Sequence, residues 1–439
     1  MAKIKLPKWL DEIWGKCNRG ETVFRRFRKT IVVEANPSPS YTRTSKQDRV
    51  RRAYRYALDD YRKLSPEQRE VYKLKGYRFN LPAYQMYMKE RIPFYLKVLD
   101  YYKIIIDNSN NSNDLTDYQI LLSVNNDSEF FSTIENKTCI EVYDEDGKTL
   151  LPFWVEEWDS INYNARIWIK VPLIKANSVK SLFLIANKDR SECLSDPYAT
   201  FVKVIPGLFL SYPIDEGSGN TLYDRSGNGY NGTIYGAEWQ KIDDEWMLYF
   251  DGVDDYVEVP YSQSTDTLGS KTIVTLVKTD PSRLSYVNDI IAFSFRILIM
   301  QYRSYGLQVI WTYVDGTRVY TNNLNIFSGD EWLNLALVYD EEEQRLKYYA
   351  NEQLYIDYGL SQKIKGTVDK IRIAYPDSGT DHQFGGYIGF VRMYERVLDI
   401  SEIKALCEHY AFESNALPYH TLVRKRSKPE PLVSYSKIK

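Results

Sequence analysis

Histidine and cysteine are scarce: three histidines (His382, His409, His420) and four cysteines (Cys17, Cys139, Cys193, Cys407) serve 439 residues. That leaves little material for metal clusters or thiol chemistry, and no two cysteines form a C-x-x-C pair. No run approaches the ~18 apolar residues of a membrane-spanning helix, so no such span is expected. The opening residues lack the apolar stretch and small-residue cleavage site of a secretory signal, so export by that route is not expected either. Disorder as a description of the whole is excluded, because 44% hydrophobic and 26% charged residues are ordinary globular values.

Tyrosine is what the sequence has in excess, with 38 against 17 Phe and 9 Trp. Such an excess suits strands and contact surfaces better than a hydrolytic site. The formal net charge of −2 hides an asymmetry. Residues 1–99 hold 24 Lys and Arg against 10 Asp and Glu, a net of +14, while the remaining residues carry a net of −16. A basic head of this kind has two readings: it meets nucleic acid or an acidic face of a neighbouring copy, or it simply solvates a helix-rich module.

Length suggests about three domains, and the periodicity divides the chain accordingly. Residues 1–99 read as a basic arm and small helical module. A short amphipathic helix around Trp9, Leu10, Ile13 and Trp14 is expected, then a strand over 28–34, and then a proline-broken linker at 36–40. Val50, Ala53, Tyr54, Ala57, Leu58 and Tyr61 recur at helical spacing. Ser65, Pro66 and Gln68 form a capping box for a second helix that Gly76 would stop, and Asn80-Leu81-Pro82 starts a third.

From about residue 100 the period becomes two. Segments such as 102–106, 118–124, 140–143, 165–171 and 181–185 read as strands between Asn/Asp/Gly/Ser turns. The expected fold is therefore mainly β: two consecutive antiparallel β-sandwiches, at 100–204 and 205–412, after the helical module. One late helix at 399–406 could be capped by Ser401. Residues 413–439, with Arg424, Lys425, Arg426 and Lys428 near Pro429 and Pro431, read as an extended basic tail.

Several motifs carry chemistry only on one of two readings. Gly227-Asn228-Gly229-Tyr230-Asn231-Gly232 spells G-x-G-x-x-G, but no helix pattern follows, so positive-φ turns are expected rather than a dinucleotide site. The run Asp340 to Glu343 reads as a solvated hairpin tip. Glu156, Glu157 and Asp159 are acids without a marked partner, and nothing singles out the paired carboxylates a glycosidase needs. Cys139 and Cys193 fall in one β domain and could close a disulfide across it, with two free thiols as the alternative. His382 reads as a surface histidine. Asn110, Asn126, Asn136 and Asn231 begin N-x-S/T triplets in loops.

Residues 207–410 resemble the laminin-G-like family, the concanavalin-type lectin jelly roll. The resemblance rests on residues 207–220 and 224–233, on Tyr249-Phe250-Asp251-Gly252-Val253-Asp254-Asp255-Tyr256-Val257-Glu258-Val259-Pro260, and on the closing strand and turn at 386–398. Residues 101–204 resemble a β-sandwich domain of unknown function that often precedes such domains in microbial surface proteins. The matching stretches are 115–120, 150–156 and 167–172. Residues 45–92 faintly resemble helical modules of phage and virus structural proteins, through Leu64-Ser65-Pro66-Glu67-Gln68 and 81–87.

The laminin-G resemblance implies calcium as a frequent companion. Among Asp224, Asp251, Asp254 and Asp255, the residues expected as Ca²⁺ ligands are Asp224 and Asp254, with ordinary turn chemistry as the alternative. The Glu-x-Asp-x-x-Glu strand motif of related glycosidases is missing, so an enzyme is not expected. Lectin-like sandwiches without an export signal imply a structural protein of a virus particle, capsid-associated or a surface spike, made in the host cytoplasm. Its partners would be other copies of itself, other virion proteins, cell-surface glycans, and nucleic acid or an acidic protein face through residues 1–99. The alternatives are a carbohydrate-binding adhesin acting outside the cell or at its surface, and a polysaccharide hydrolase.

Overall fold

The computed structural model describes residues 23–27, 30–34, 45–98, 102–187, 192–283, 287–294, 298–303, 306–321, 324–325, 331–375 and 382–438. The expected helix near Trp9, the linker at 36–40 and Cys17 lie outside these residues. Two short strands, Val23–Phe27 and Thr30–Glu34, form an antiparallel pair.

Three helices follow: α1 (Ser45–Lys63), α2 (Pro66–Tyr77) and α3 (Ala83–Val98). The Ser65/Gln68 capping box forms as the sequence requires. Gly76 lies inside the last turn of α2 rather than after it. A Cβ there would sit 2.2 Å from the Leu81 carbonyl oxygen, so only glycine lets the chain double back into α3. The tyrosine excess finds much of its use here. Tyr61 meets Tyr84 and Tyr87 at 5.2 and 5.4 Å, Tyr72 meets Tyr87 at 4.8 Å, and Tyr56 stacks on Tyr95 at 5.6 Å. The module is fixed to the first sandwich, since Tyr87, Ile92 and Tyr95 share a core cluster with Phe183, Ile185 and Ile438.

The first sandwich packs a four-stranded sheet against a three-stranded one. The four-stranded order is Leu432–Lys437, Tyr102–Asp107, Val179–Ala186, Ile140–Tyr143, and the three-stranded order is Leu115–Val124, Asn164–Ile174, Phe153–Asp159. Alternating Ile104, Ile106, Ile120, Leu122, Ile167, Ile169, Leu182 and Leu184 fill its core. Two short helices, α4 (Ser128–Thr133) and α5 (Pro197–Thr200), are each capped by an aspartate, Asp127 and Asp196.

The second sandwich is larger. One sheet runs Glu238–Ile242, Glu245–Asp251, Gly385–Tyr394, Lys271–Thr279, Leu333–Asp340, Arg345–Ala350, Gln353–Gly359, with Leu208–Tyr212 also on Gly385–Tyr394. The facing sheet includes Gly232–Tyr235, Tyr256–Val259, Ile371–Ile373, Val287–Phe293, Leu298–Arg303 and Gly306–Thr312. Trp311, Tyr339, Tyr348, Phe250, Phe293 and Phe384 are among the side chains sealed between them. Among the described residues the strands of both sheets pair antiparallel, as the alternating pattern predicts, and in this sandwich only the isolated bridge Asp289–Gln383 is parallel.

Residues 413–439 are not the extended tail that their Pro and Arg content suggests. His420–Arg424 pairs with Lys203–Pro206 in a three-stranded sheet completed by Tyr410–Phe412, and Leu432–Lys437 pairs in register with Tyr102–Asp107. The chain thus leaves the first sandwich, builds the second, and returns to complete the first. The connecting segment is stitched to both. Lys425 donates to the Thr116 carbonyl at 2.8 Å, the Ser427 amide to the Tyr118 hydroxyl at 2.9 Å, and Arg426 to Glu245 at 2.6 Å. The late helix α6 (Ile400–Glu408) is capped by Asp399 with Glu402, not by Ser401, whose hydroxyl donates to Asp399 instead.

Candidate functional site

A groove of about 490 Å³ opens on the outer face of the larger sheet, where that sheet is only partly covered by α6 and the strand after it. Pairing registers define its floor. Leu276 stands opposite Asn334 on one side and Phe390 on the other; further along the same face, outside the groove, Lys278 and Tyr249 both stand opposite Tyr387. Leu248, Phe250, Ile388 and Val277 point inward to the core, so their neighbours on these strands point out into the groove and beyond it.

Aromatic side chains dominate this face. Tyr249 and Tyr387 rings lie 5.0 Å apart, Trp332 lies 6.1 Å from Tyr387, and the Lys278 ammonium stands over Trp332 at 5.9 Å. Burial and neighbouring Asp280 hold the Tyr249 hydroxyl above its ordinary value. Trp246, 37% exposed, lines the groove itself. It leans on Gly217, where a Cβ would meet the indole at 2.5 Å and where φ is +68°. Glycine is therefore what lets the ring lie flat against the loop.

Polar groups line the rest: Asp215, Asp244, Glu245, Asn334, Glu408, His409 and Arg426. Arg392 lies in the floor with its side chain 4% exposed and donates to Glu413 at 2.8 Å and to the Ala411 carbonyl at 2.9 Å. Burial works against its charge, and Glu413 together with Tyr394 and Tyr410 more than offsets that. Cys407 also lines the groove. Burial, with Glu352 and Glu408 nearby, pushes its thiol up to about 12, so it is a poor nucleophile.

Of the two expected calcium ligands, only Asp254 belongs to a cluster of three or more ligand side chains among the described residues. The Asp224 carboxylate is filled by four donors of its own loop region. The Ser211 and Ser226 amides reach Oδ1 at 3.0 and 2.9 Å, and the Ser226 hydroxyl and Tyr230 amide reach Oδ2 at 2.8 and 3.0 Å. It organises the glycine-rich turn, where Gly227 and Gly229 take the expected positive φ of 97° and 77°. Asp254 instead joins Asp251 and Asp255, whose oxygens lie within 4.8 Å of one another. A hard cation would find three carboxylates there, although Asp255 Oδ2 already accepts the Asp251 amide at 2.8 Å. Burial, then the like charges of Asp251, Asp254 and Glu238, raises the Asp255 carboxyl above its ordinary value.

Other sequence candidates resolve into structure. Cys139 and Cys193 are free, so the bridge does not form: Cys139 is half-buried at the first sandwich core while Cys193 is exposed. Glu156 accepts from Arg166 and from the Trp168 indole, both at 2.9 Å, and Asp159 closes a turn through the Ile161 and Asn162 amides. Glu341 is no solvated tip, for it accepts from the Gly269 amide at 2.8 Å and pairs with Lys363 at 3.0 Å, whereas Glu342 and Glu343 are exposed. His382 is half-buried, with Nδ1 3.9 Å from Asp289. Asn110, Asn126, Asn136 and Asn231 are all exposed.

Residues 136–222 match the family model of DUF2341, a domain of unknown function. The match overlaps the region expected to hold such a domain and runs on through Lys203–Pro206 and Leu208–Tyr212. No curated protein matches the sequence. Among solved structures, the botulinum neurotoxin serotype D binding domain is similar at 13% identity, covering 46% of this chain and 51% of that one, with a TM-score of 0.38. The serotype D ligand binding domain in complex with N-acetylneuraminic acid aligns at 14% identity over 46% and 50%, TM-score 0.38. The type G receptor binding domain aligns at 14% over 46% and 51%, TM-score 0.36. The chain spans about half the length of each of these.

Proposed function

We infer that this chain is a carbohydrate-binding protein that adheres rather than catalyses, with the outer-sheet groove as its glycan site. The observation that carries the reading is the meeting, in one open groove, of aromatic side chains (Trp246, Phe390, Tyr410) with amide, carboxylate and guanidinium groups. Sugar rings present C–H faces to aromatic rings and hydroxyls to such polar groups, and the groove has the size of a small-ligand site. The resemblance of residues 207–410 to laminin-G-like lectins agrees with it. Four carboxylates (Asp215, Asp244, Glu245, Glu408) outnumber Arg392 and Arg426, each of which already has a carboxylate partner. Neutral sugars are therefore favoured over acidic ones. A protonated Cys407 thiol and the pairing of Asp215 with Arg225, Asp244 with Lys241 and Glu245 with Arg426 support a non-enzymatic role.

The setting we propose is the surface of a virus particle, with a cell-surface adhesin as the alternative. Electron microscopy that locates the chain on its source particle or cell distinguishes the two. For the site itself, a glycan array followed by calorimetry should give binding to neutral glycans that Trp246→Ala weakens at least tenfold. Gly217→Val should weaken it similarly by displacing the indole. Binding unchanged in both variants would place the glycan site elsewhere, and reducing sugar released from a polysaccharide panel would replace adhesion by hydrolysis.

A further inference from the structure

Helix α2 is almost bare. Of its twelve residues only Gly76 is buried, and Tyr72 is half-buried against α3. Large apolar side chains stand out on and just beyond it: Val71 is 51% exposed, Leu74 59%, Tyr77 70% and Phe79 56%. The capping box at one end and the tight Gly76–Leu81 approach at the other show a preformed helix rather than a fraying end. Around the apolar stripe lie Arg62, Lys63, Lys73, Lys75 and Arg78. Arg62 pairs with Asp59 at 3.4 Å, Lys73 with Glu70 at 3.1 Å and Lys75 with Glu90 at 3.4 Å, yet residues 45–98 together keep 14 Lys and Arg against 6 Asp and Glu, so the rim stays basic in net. A clustered, rigid, apolar face with a basic rim marks an interaction surface.

We propose that this face docks on the acidic body of a second copy of the chain, at the turn 251–255. Charge complementarity points there: the chain beyond residue 99 has a net charge of −16 and is present wherever the helical module is. The turn sets one exposed apolar side chain, Val253 at 63%, among the carboxylates of Asp251 and Asp254, with Arg283 packed against Gly252. A nucleic-acid backbone offers nothing to Val71 and Leu74, which is why a protein partner is favoured over a phosphate one. The two surfaces differ, so the contact is heterologous and propagates head to body into open arrays unless a rotation closes it. The face is short, ~18 Å for twelve helical residues, so the association is weak and sensitive to salt.

Sedimentation of the full chain across a concentration series at low and high salt tests this. Concentration-dependent assemblies that dissolve in high salt are expected. Leu74→Asp, Lys73→Glu with Lys75→Glu, and Asp251→Lys with Asp254→Lys should each weaken assembly at least tenfold, with melting curves showing that each variant folds. Mixing the two charge-reversed proteins should restore association, because each then presents the other's complement. A wild-type chain that stays monomeric throughout, a mixture that fails to associate, or assembly indifferent to all three changes overturns the proposal. So does α2-dependent retention on DNA or on anionic vesicles without self-association. Glycan binding through the groove is independent of these variants and should persist in each.

Discussion

Asp255 joins a nearly buried carboxyl to two neighbours of like charge, and its raised pKa makes a pH prediction with a definite sign. A carboxyl that binds its proton more tightly when folded adds stability that is full below the unfolded value. That stability is lost as pH rises through the folded value. Asp255→Asn removes the titration while its Oδ1 can still accept the Asp251 amide. The variant should therefore gain on the wild type as pH goes from about 4 to about 7, followed by urea midpoints. Parallel pH profiles would remove the electrostatic account of the acidic turn. Arg392 makes the opposite case, a buried charge that is fully paired. Arg392→Met should cost about 3–5 kcal/mol in urea unfolding because Glu413, also 4% exposed, is left charged and buried. Arg392→Met with Glu413→Leu should recover most of that loss, and a double variant no better than the single one would point to packing rather than charge.

At the scale of elements, local signals were legible where the local chemistry decides the outcome. The capping box at Ser65, the period-two strands from residue 102, and the positive-φ glycines at 227 and 229 all stand as their residues require. Signals that depend on distant partners were not. Leu432–Lys437 alternates like a strand, yet the Arg and Pro residues before it read as a loose tail, and only Tyr102–Asp107, more than 300 residues away, gives it an edge to pair with. Ser401 and Asp399 are both good caps, and the choice falls to Asp399 because Glu402 lies three residues after it. The groove was hidden for a similar reason. Strands such as Glu245–Asp251 and Gly385–Tyr394 carry large side chains at both parities, so the pattern shows two covered faces without showing that one cover is incomplete. The role of Asp224 in its turn was hidden as well, because a carboxylate that organises a turn and one that binds calcium look alike in sequence until the donors are counted.

For the whole molecule, the return of the chain makes the larger sandwich an insertion between strands of the smaller one. The junction is packed as well as connected: Trp154, Trp168, Phe201, Val204 and Leu422 form one cluster, and Arg424 stands over Trp168 at 5.4 Å. Val433, Tyr435 and Ile438 carry the last strand into the core of the first sandwich and its helical module. Removing residues 425–439 deletes that strand and the stitches to Thr116, Tyr118 and Glu245 while leaving the larger core untouched. Three partly or fully buried apolar side chains are worth about 3 kcal/mol or more, which the smaller sandwich can ill spare. The truncated chain should therefore melt in two steps, the first sandwich before the second, where the full chain melts in one. Hydrogen exchange should show amides of Tyr102–Asp107 and Val179–Ala186 losing protection while those of Lys271–Thr279 keep it. A truncated chain that unfolds in one step at the wild-type midpoint would mean that the C-terminal strand is ornamental to the first sandwich, and that the two sandwiches are coupled through the aromatic junction alone.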